Sequence, residues 1–368
     1  MNQPLLDVPR VQPAAFPVPT VWSPDCVRHE PLAEIWLGVR TPGTEVPQRA
    51  DAIRTSLLSA GARIVEATKH DDSILDLVHG AALLQHLRTV YRDWTAAGFP
   101  TAVGADRVVP YLFPTAGLLG TLPLREPAAV HARAGRYCYD TMTLVGPGTW
   151  EAARGAVDAA LTAVDMVAGH QTRVAYALCR PPGHHAGRES FGGSCYLNNA
   201  AVAAQALLSA GYSRVAVIDI DAHHGNGTQS VFYDRGEVFY GSVHVDPGAG
   251  WFPHYVGFAD ERGAGDGSGA NLNEPLPPGT GDSDWLRSVE RIAGAVAGFA
   301  ATALVVSLGV DAAADDPESP LQVTADGYHE AGLVLGSLGL PTVAVQEGGY
   351  HLGTLGALVV ATLSGLCG

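Results

Sequence analysis

An α/β fold with a largely parallel sheet covered by helices is predicted by two observations. From about Arg173 onward, short β-branched runs alternate with amphipathic segments of helical period. In addition, four of those runs are followed directly by clusters of unusual polar residues: Arg180 to His185, Asp219 to Asn226, Gly309 to Asp316 and Glu347 to His351. Open parallel sheets bind ligands outside the carboxyl ends of their strands, so the clusters are expected to converge on one site.

The expected strands are Val174 to Leu178, Val215 to Ile220, Val238 to Val243, Leu304 to Leu308 and Thr342 to Val345. Helices are expected over Trp150 to Ala168, Asn199 to Leu208, Asp284 to Phe299, Ala325 to Leu338 and Leu352 to Leu366. Asn198 and Thr324 stand at N-cap positions, and Gly169, Gly211 and Gly339 stand where helices should stop. Earlier in the chain, Gln48 to Ala60 and Ser73 to Ala97 have helical periodicity. Phe99 to Pro127, punctuated by Pro and Gly, is too long for an ordinary connection and reads as a functional or interaction element within an insertion spanning 99–135. With no repeat, low-complexity block or linker, one domain over 1–368 is expected.

The balance of 22 basic against 37 acidic residues gives a formal net charge of −15. That argues against nucleic acid or an anionic membrane as partner and would draw in cationic substrates, although a merely solvated acidic surface also accounts for it. Five scattered cysteines form no C-x-x-C pair, so neither a disulfide framework nor a thiolate zinc site is indicated, and a reducing cytoplasm fits. The first 18 residues are proline-rich, lack the regions of a signal peptide and are expected to be flexible.

Asp219, Asp221 and His223 follow an apolar strand at alternating positions, so an extended backbone points them to one side. Two carboxylates and an imidazole packed together call for a cation between them. Asp311, in Ser307-Leu308-Gly309-Val310-Asp311, is the natural third ligand of a metal that keeps a position open for water. His184 and His185, in Arg180-Pro181-Pro182-Gly183-His184-His185-Ala186, suit general acid/base catalysis; a second metal pair or two structural imidazoles are the other readings. Tyr350, after Glu347-Gly348-Gly349, suits an oxyanion donor, or a packing tyrosine after a flexible turn.

Together the motifs R-P-P-G-H-H-A, D-I-D-A-H-H-G-N-G-T, S-L-G-V-D and E-G-G-Y resemble the zinc-dependent deacetylases, the superfamily of histone deacetylases and acetylpolyamine amidohydrolases. The resemblance runs from roughly Gly135 to the C-terminus. It implies a single-domain arginase-deacetylase fold with a mostly parallel eight-stranded sheet, and hydrolysis of an acetyl or related acyl amide. By it, Asp221, His223 and Asp311 bind zinc, His185 is the principal base, His184 assists, and Tyr350 polarises the carbonyl. Asp219 would orient His184 and share a structural potassium site with Ser242, and Asn226 would tune His185 where some relatives carry aspartate. Ferrous iron suits the same two carboxylates and imidazole.

Similarity to bacterial acetylpolyamine amidohydrolases is strongest at Pro147 to Glu151 and Phe191-Gly192-Gly193, and the long loop resembles their dimer-forming insertion, so a homodimer is expected. Glu318 stands at the gatekeeper position of polyamine-selective relatives, where it would attract a small cationic acyl-amine. Other positions depart from that pattern: Asp140 resembles the rim aspartate of peptide deacetylases, Met142 replaces a glutamate that reads the polyamine, and Ser194 replaces an aromatic facing Phe252 across the tunnel. Protein acetyl-lysine deacetylation is therefore the alternative. A binuclear manganese ureohydrolase would need D-x-H-x-D where this chain has D-x-D-x-H, and a catalytically silent binding protein would have lost a group that is present here.

Overall fold

The structure, a computed structural model, describes residues 16–101 and 104–368. Most of the expected flexible start lies outside the described residues, whereas Val18 is already buried in the core. The strands are β1 (Thr20–Trp22), β2 (Glu34–Trp36), β3 (Val39–Thr41), β4 (Ile64–Glu66), β5 (Val174–Leu178), β6 (Val215–Asp219), β7 (Val238–Val245), β8 (Asn271–Leu276), β9 (Ala303–Leu308) and β10 (Thr342–Gln346). Eight of them form one sheet in the order β4-β1-β5-β10-β9-β6-β7-β8 with every neighbour parallel, while β2 and β3 make a separate antiparallel hairpin.

Every residue of β5, β6, β7, β9 and β10 is buried, because helices cover both faces of the sheet. Val215, Val217, Val305 and Val343 face the helices Ala81–Ala96, Thr149–Ala168 and Asn199–Ser209. Ala216, Ile218, Leu304, Val306 and Ala344 face the helices Gln48–Ser59, Asp282–Phe299, Ala325–Gly336 and Leu355–Leu366. Burying one Val, Leu or Ile side chain contributes about 1.5–3 kcal/mol, so this double-sided core is the main source of stability. Asn198 and Thr324 cap their helices by accepting the N–H of Ala201 and Gly327.

Ser73 to Ala97 departs from the expected single helix: it forms Ser73–Asp76 and Ala81–Ala96, separated by Leu77 to Gly80. The break follows from tertiary contacts. His79, fully buried, lies 2.8 Å from Gly187 O through Nδ1 and accepts Asn198 N–H at Nε2 (3.0 Å), while Gly80 N–H goes to Arg188 O (2.8 Å). These bonds fasten the segment to the loops after β5 and hold it out of helical register. The last helix starts at Leu355, three residues later than expected, because residues 350–354 finish the turn after β10. The expected insertion contains a short helix, Ala116–Leu119, and ends in the helix Val130–Tyr137.

β9 and β10 are last in sequence but lie between β5 and β6, so the strand order reverses at the middle of the sheet. Asp219 pairs with Ser307 and Leu308 with Gln346, which brings the carboxyl ends of β6, β9 and β10 level. All four polar clusters open from this edge.

Candidate active site

One ligand atom from each of Asp221, His223 and Asp311 falls within 4.8 Å of the others. Asp221 and His223 come from the turn after β6 and Asp311 from the turn after β9, and both carboxylates are fully buried. His223 Nδ1 lies 3.2 Å from Asp221 Oδ1 and 3.1 Å from Asp311 Oδ2. Their remaining oxygens are oriented by main-chain donors: Gly348 N–H to Asp221 Oδ2 (2.8 Å) and Ala222 N–H to Asp311 Oδ1 (2.7 Å). Gly309 and Gly348 are required here, because a Cβ at either would collide with these carboxylates.

Electrostatics make the trio a cation site. Burial and the neighbouring charge of Asp221 push the Asp311 carboxyl up to about 7. Burial also works against Asp221, but the charges of His184 and His223 hold it below the usual carboxylate range. His223 is driven well above its ordinary value, burial notwithstanding, by hydrogen bonds to both acids. Two buried carboxylates with one imidazole between them leave net negative charge that a divalent cation would neutralise, and the oxygen and nitrogen donors suit zinc or ferrous iron.

His184 and His185 follow β5 in a loop held by Glu347, whose Oε2 accepts Gly183 N–H (2.7 Å) and His184 N–H (3.1 Å). The two imidazoles lie 4.0 Å apart but have different partners. His184 Nδ1 sits 3.0 Å from Asp219 Oδ2, an oxygen that also accepts the Tyr240 hydroxyl (3.1 Å). Burial disfavours charge on His184, yet Asp221 and Asp219 raise it to about 10. His185 Nδ1 sits 2.7 Å from Asn226 Oδ1, and the Asn226 amide donates to Tyr139 OH (3.3 Å), which donates to His185 O (2.9 Å). Burial, then the charge of His184, keeps His185 well below its ordinary value. The surroundings thus shift the two imidazoles in opposite directions, His184 towards the charged form and His185 towards the neutral one, an arrangement suited to acid/base catalysis by a pair.

Tyr350 shares a cavity of about 400 Å³ with His185 and His223. Its turn is pinned by Arg49, which the sequence reading missed. Arg49 donates to Gly349 O (2.6 Å) and Glu347 O (2.6 Å), lies 4.6 Å from the Tyr350 ring centroid, and pairs with buried Glu45 (2.9 Å). Arg180 meets the same Glu45 at 2.8 Å. Its i,i+4 partner Glu45 marks only a helical ion pair, and the contacts that tie Arg49 to the site lie about 300 positions away.

The expected substrate residues are placed unequally. Gly193, Ser194, Phe252 and Glu318 line the catalytic cavity. Gly193, at φ +56°, is wedged between the His185 ring and Phe252, where a Cβ would strike both. Ser194, also at positive φ (60°), donates its N–H to Thr143 Oγ1 (2.8 Å) and adds no aromatic wall. The ring stacked nearly parallel to Phe252, at 6.3 Å, is instead Tyr139. Asp140 lines a neighbouring cavity, and its oxygens accept the N–H groups of Gly193 (2.6 Å), Met142 (2.9 Å) and Thr143 (2.8 Å). Ser242 lies beside Asp219 in the β6–β7 register, its hydroxyl 2.8 Å from His244 Nδ1.

Comparison with known proteins identifies the family. The histone deacetylase domain family matches residues 43–366. The acetylpolyamine amidohydrolase of Mycoplana ramosa is 39% identical over 350 residues, covering 95% of this chain and 99% of that protein. Among solved structures, the acetylpolyamine aminohydrolase from Burkholderia pseudomallei superimposes with a TM-score of 0.88 at 40% identity, covering 95% of this chain and 98% of that one. The HDA15 HD domain gives 0.76 at 28% identity, covering 95% and 91%. With its fold and two adjacent imidazoles beside a trio of metal-type donors, the chain belongs to the histone deacetylase family and is a deacetylase-type amidohydrolase.

Proposed function

We propose that the protein hydrolyses the acetyl amide of acetylated polyamines and similar small acyl-amines, with zinc held by Asp221, His223 and Asp311. The observation that carries this reading is the meeting of His185, His223 and Tyr350 in one cavity, with the His184 ring 4.0 Å from that of His185 and with Asp221 and Asp311 grouped around His223. The substrate class comes from relatives named acetylpolyamine amidohydrolase that are about 40% identical over nearly the whole chain.

When bound, the metal supplies a Lewis acid for the acetyl carbonyl and lowers the pKa of water. His185, its Nδ1–H engaged by Asn226, offers Nε2 to receive a proton. His184, its imidazolium favoured by Asp221 and Asp219, gives its own proton to the departing amine. Tyr350 donates its O–H to the carbonyl oxygen as charge develops there. Asp219 and Ser242, paired across β6 and β7, would hold a structural potassium ion, and Glu318 attracts the ammonium of the substrate.

The chain forms a homodimer through the insertion, whose Tyr111, Leu118 and Leu122 are 68%, 59% and 71% exposed. Among the described residues no helix is long and apolar enough to cross a membrane.

Turnover of acetylputrescine and acetylspermidine, compared with an acetyl-lysine peptide on zinc-reconstituted protein, tests the reading. Preference for the acetylated polyamines is expected, and preference for the peptide would overturn it.

A further inference from the structure

Residues 246–270 connect β7 to β8 with only two short 3-10 turns, Pro247–Ala249 and Gly265–Gly267. This loop supplies Trp251, Phe252 and His254 to the wall of the catalytic cavity, and the Phe252 ring stands edge-on to His185 at 4.8 Å. Without strand pairing, side chains from other elements must hold that wall in place.

Gly257 is gripped on three sides. Its N–H donates to both oxygens of Glu261 (3.1 and 3.0 Å), and its carbonyl accepts from His244 Nε2 (2.8 Å). At φ +105° it rests against the His224 ring, where a Cβ would collide. Glu261 is fixed in turn by the helix Asn226–Phe232, from which Gln229 Nε2 donates to Glu261 Oε2 (2.5 Å). The carbonyl end of Gln229 is occupied as well. Asn271 and Asn273 donate to its Oε1 (3.0 and 2.9 Å), and His224 Nε2 lies 3.0 Å from the same oxygen. Asn273 also donates to Phe258 O (3.2 Å) and to Glu261 Oε2 (3.2 Å). Gln229, His224, His244, Asn271 and Asn273 are all buried, so each hydrogen bond in this cluster is costly to lose.

One helix therefore sets both sides of the wall. Asn226, its first residue, orients His185, and Gln229, about one turn on, holds Glu261 and through it the loop that bears Phe252. We propose that Gln229 and Glu261 form a pair of positioning residues that fix Trp251, Phe252 and His254 against His185 and so set the affinity of the cavity for its acyl-amine. The effect on substrate rests on the amide-hydrolysis reading above. Neither residue lines the catalytic cavity; both act through the loop.

The pair consists of a donor and an acceptor that can be exchanged, which gives a specific test. Glu261→Gln leaves one carbonyl oxygen for donors that two carboxylate oxygens accept, and Gln229→Glu sets two carboxylates against each other. Gln229→Glu combined with Glu261→Gln restores one donor and one acceptor at the contact. Each zinc-loaded variant is assayed on acetylputrescine, with hydrogen exchange over residues 250–260 and melting temperature read alongside. Either single change should raise KM about five- to tenfold, keep kcat within about threefold, and speed exchange in the loop. The exchanged pair should return KM to within about twofold of wild type and restore protection of the loop, a recovery that a general loss of stability would not show. Single variants with wild-type KM and loop exchange would overturn the role, as would an exchanged pair no better than the worse single change, or exchange that rises evenly over the whole protein. If a single variant does not fold, the exchanged pair decides: a KM near wild type upholds the role, and a raised KM or an unfolded protein overturns it. Loop exchange that follows this loss and recovery in a protein inactive on acetylputrescine would remove the proposed substrate and leave the positioning of the loop standing.

Discussion

Asn226 Oδ1 lies 2.7 Å from His185 Nδ1, so this imidazole is oriented by a neutral amide, whereas its neighbour His184 is oriented by the carboxylate of Asp219 at 3.0 Å. This difference in partner adds to the effects of burial, of Asp221 on His184 and of the charge of His184 on His185.

Asn226→Asp should erase it. A carboxylate at that position favours the imidazolium, so the pKa of His185 rises from its present depressed value. The base must be neutral to accept a proton, and raising its pKa therefore moves the acidic limb of the kcat/KM profile to higher pH. A shift of about one unit or more is expected, since one unit corresponds to about 1.4 kcal/mol of added interaction. A pH–rate profile in which that limb stays in place would exclude His185 as the titrating base.

Metal removal should leave a protein whose stability falls as pH rises. Without a cation, Asp311 titrates at about 7, above its unfolded range, and His223 titrates well above its own. A raised group contributes stability below its unfolded pKa and loses it as pH rises through the folded pKa. Both groups act in this direction, while Asp221, whose pKa is lowered, stays ionised throughout and adds no slope. Between pH 6 and pH 8 the melting temperature of the chelated protein should fall relative to the zinc-loaded protein, and re-addition of zinc should close the gap. An equal melting temperature with and without chelator at both pH values would refute the metal assignment.

Arg49 connects the main chain of Glu347 and Gly349 to Glu45, and a single ammonium cannot span all three. Arg49→Lys should lower kcat by about one to two powers of ten, with KM little changed, if it acts by placing Tyr350. Tyr350→Phe should cost about two to three powers of ten, the worth of an oxyanion donor. The double variant should then be no worse than Tyr350→Phe alone, because the two changes remove one function. Additive losses would mean that Arg49 acts elsewhere.

The parts of the molecule that were legible in the sequence are those in which function and burial coincide with local pattern. β5, β6, β7, β9 and β10 are buried on both faces and read as unbroken apolar runs, and the donors at their ends follow at fixed short spacings. β1 and β4 were missed because three residues carry no period. β8 was missed because its inward side chains are polar: Asn271 and Asn273 both donate to Gln229 Oε1, at 3.0 and 2.9 Å, and Pro275 is tolerated on an edge strand. Arg49 was invisible for another reason. It reaches the site through hydrogen bonds to Glu347 and Gly349, about 300 positions away, and only the folded chain shows which side chains such contacts bring together.

Ser194 takes up little space where the resemblance places an aromatic ring, at φ 60° and facing the cavity beside Gly193 and Phe252. Ser194→Phe should narrow the tunnel. The added ring would stack on a linear chain of methylenes and crowd a branched or aryl amine. Expected is a gain of about two- to fivefold in the kcat/KM ratio of acetylputrescine to a bulky aryl acetamide, of the order of one aromatic contact at about 0.5–1 kcal/mol. An unchanged ratio would show that the wall at residue 194 does not meet the substrate.

The insertion supplies the last test. Tyr111, Leu118, Leu122 and Leu124 expose apolar surface on one stretch of chain, and exposed apolar patches of this kind mark association sites. A homodimer formed there must bury Leu118 and Leu122 in each subunit, and a charge at either position would lie unpaired in the interface. Leu118→Glu together with Leu122→Glu should give a monomer by light scattering at concentrations where the wild type is dimeric, with little loss of thermal stability, because both side chains are exposed in the single chain. A dimer unaffected by both charges, or a wild type that is monomeric at every concentration, would place association elsewhere or remove it. The insertion's Phe113 also lines the cavity that adjoins His185, so the monomeric variant should in addition show an altered KM for acetylated polyamines if dimerisation holds this loop in place.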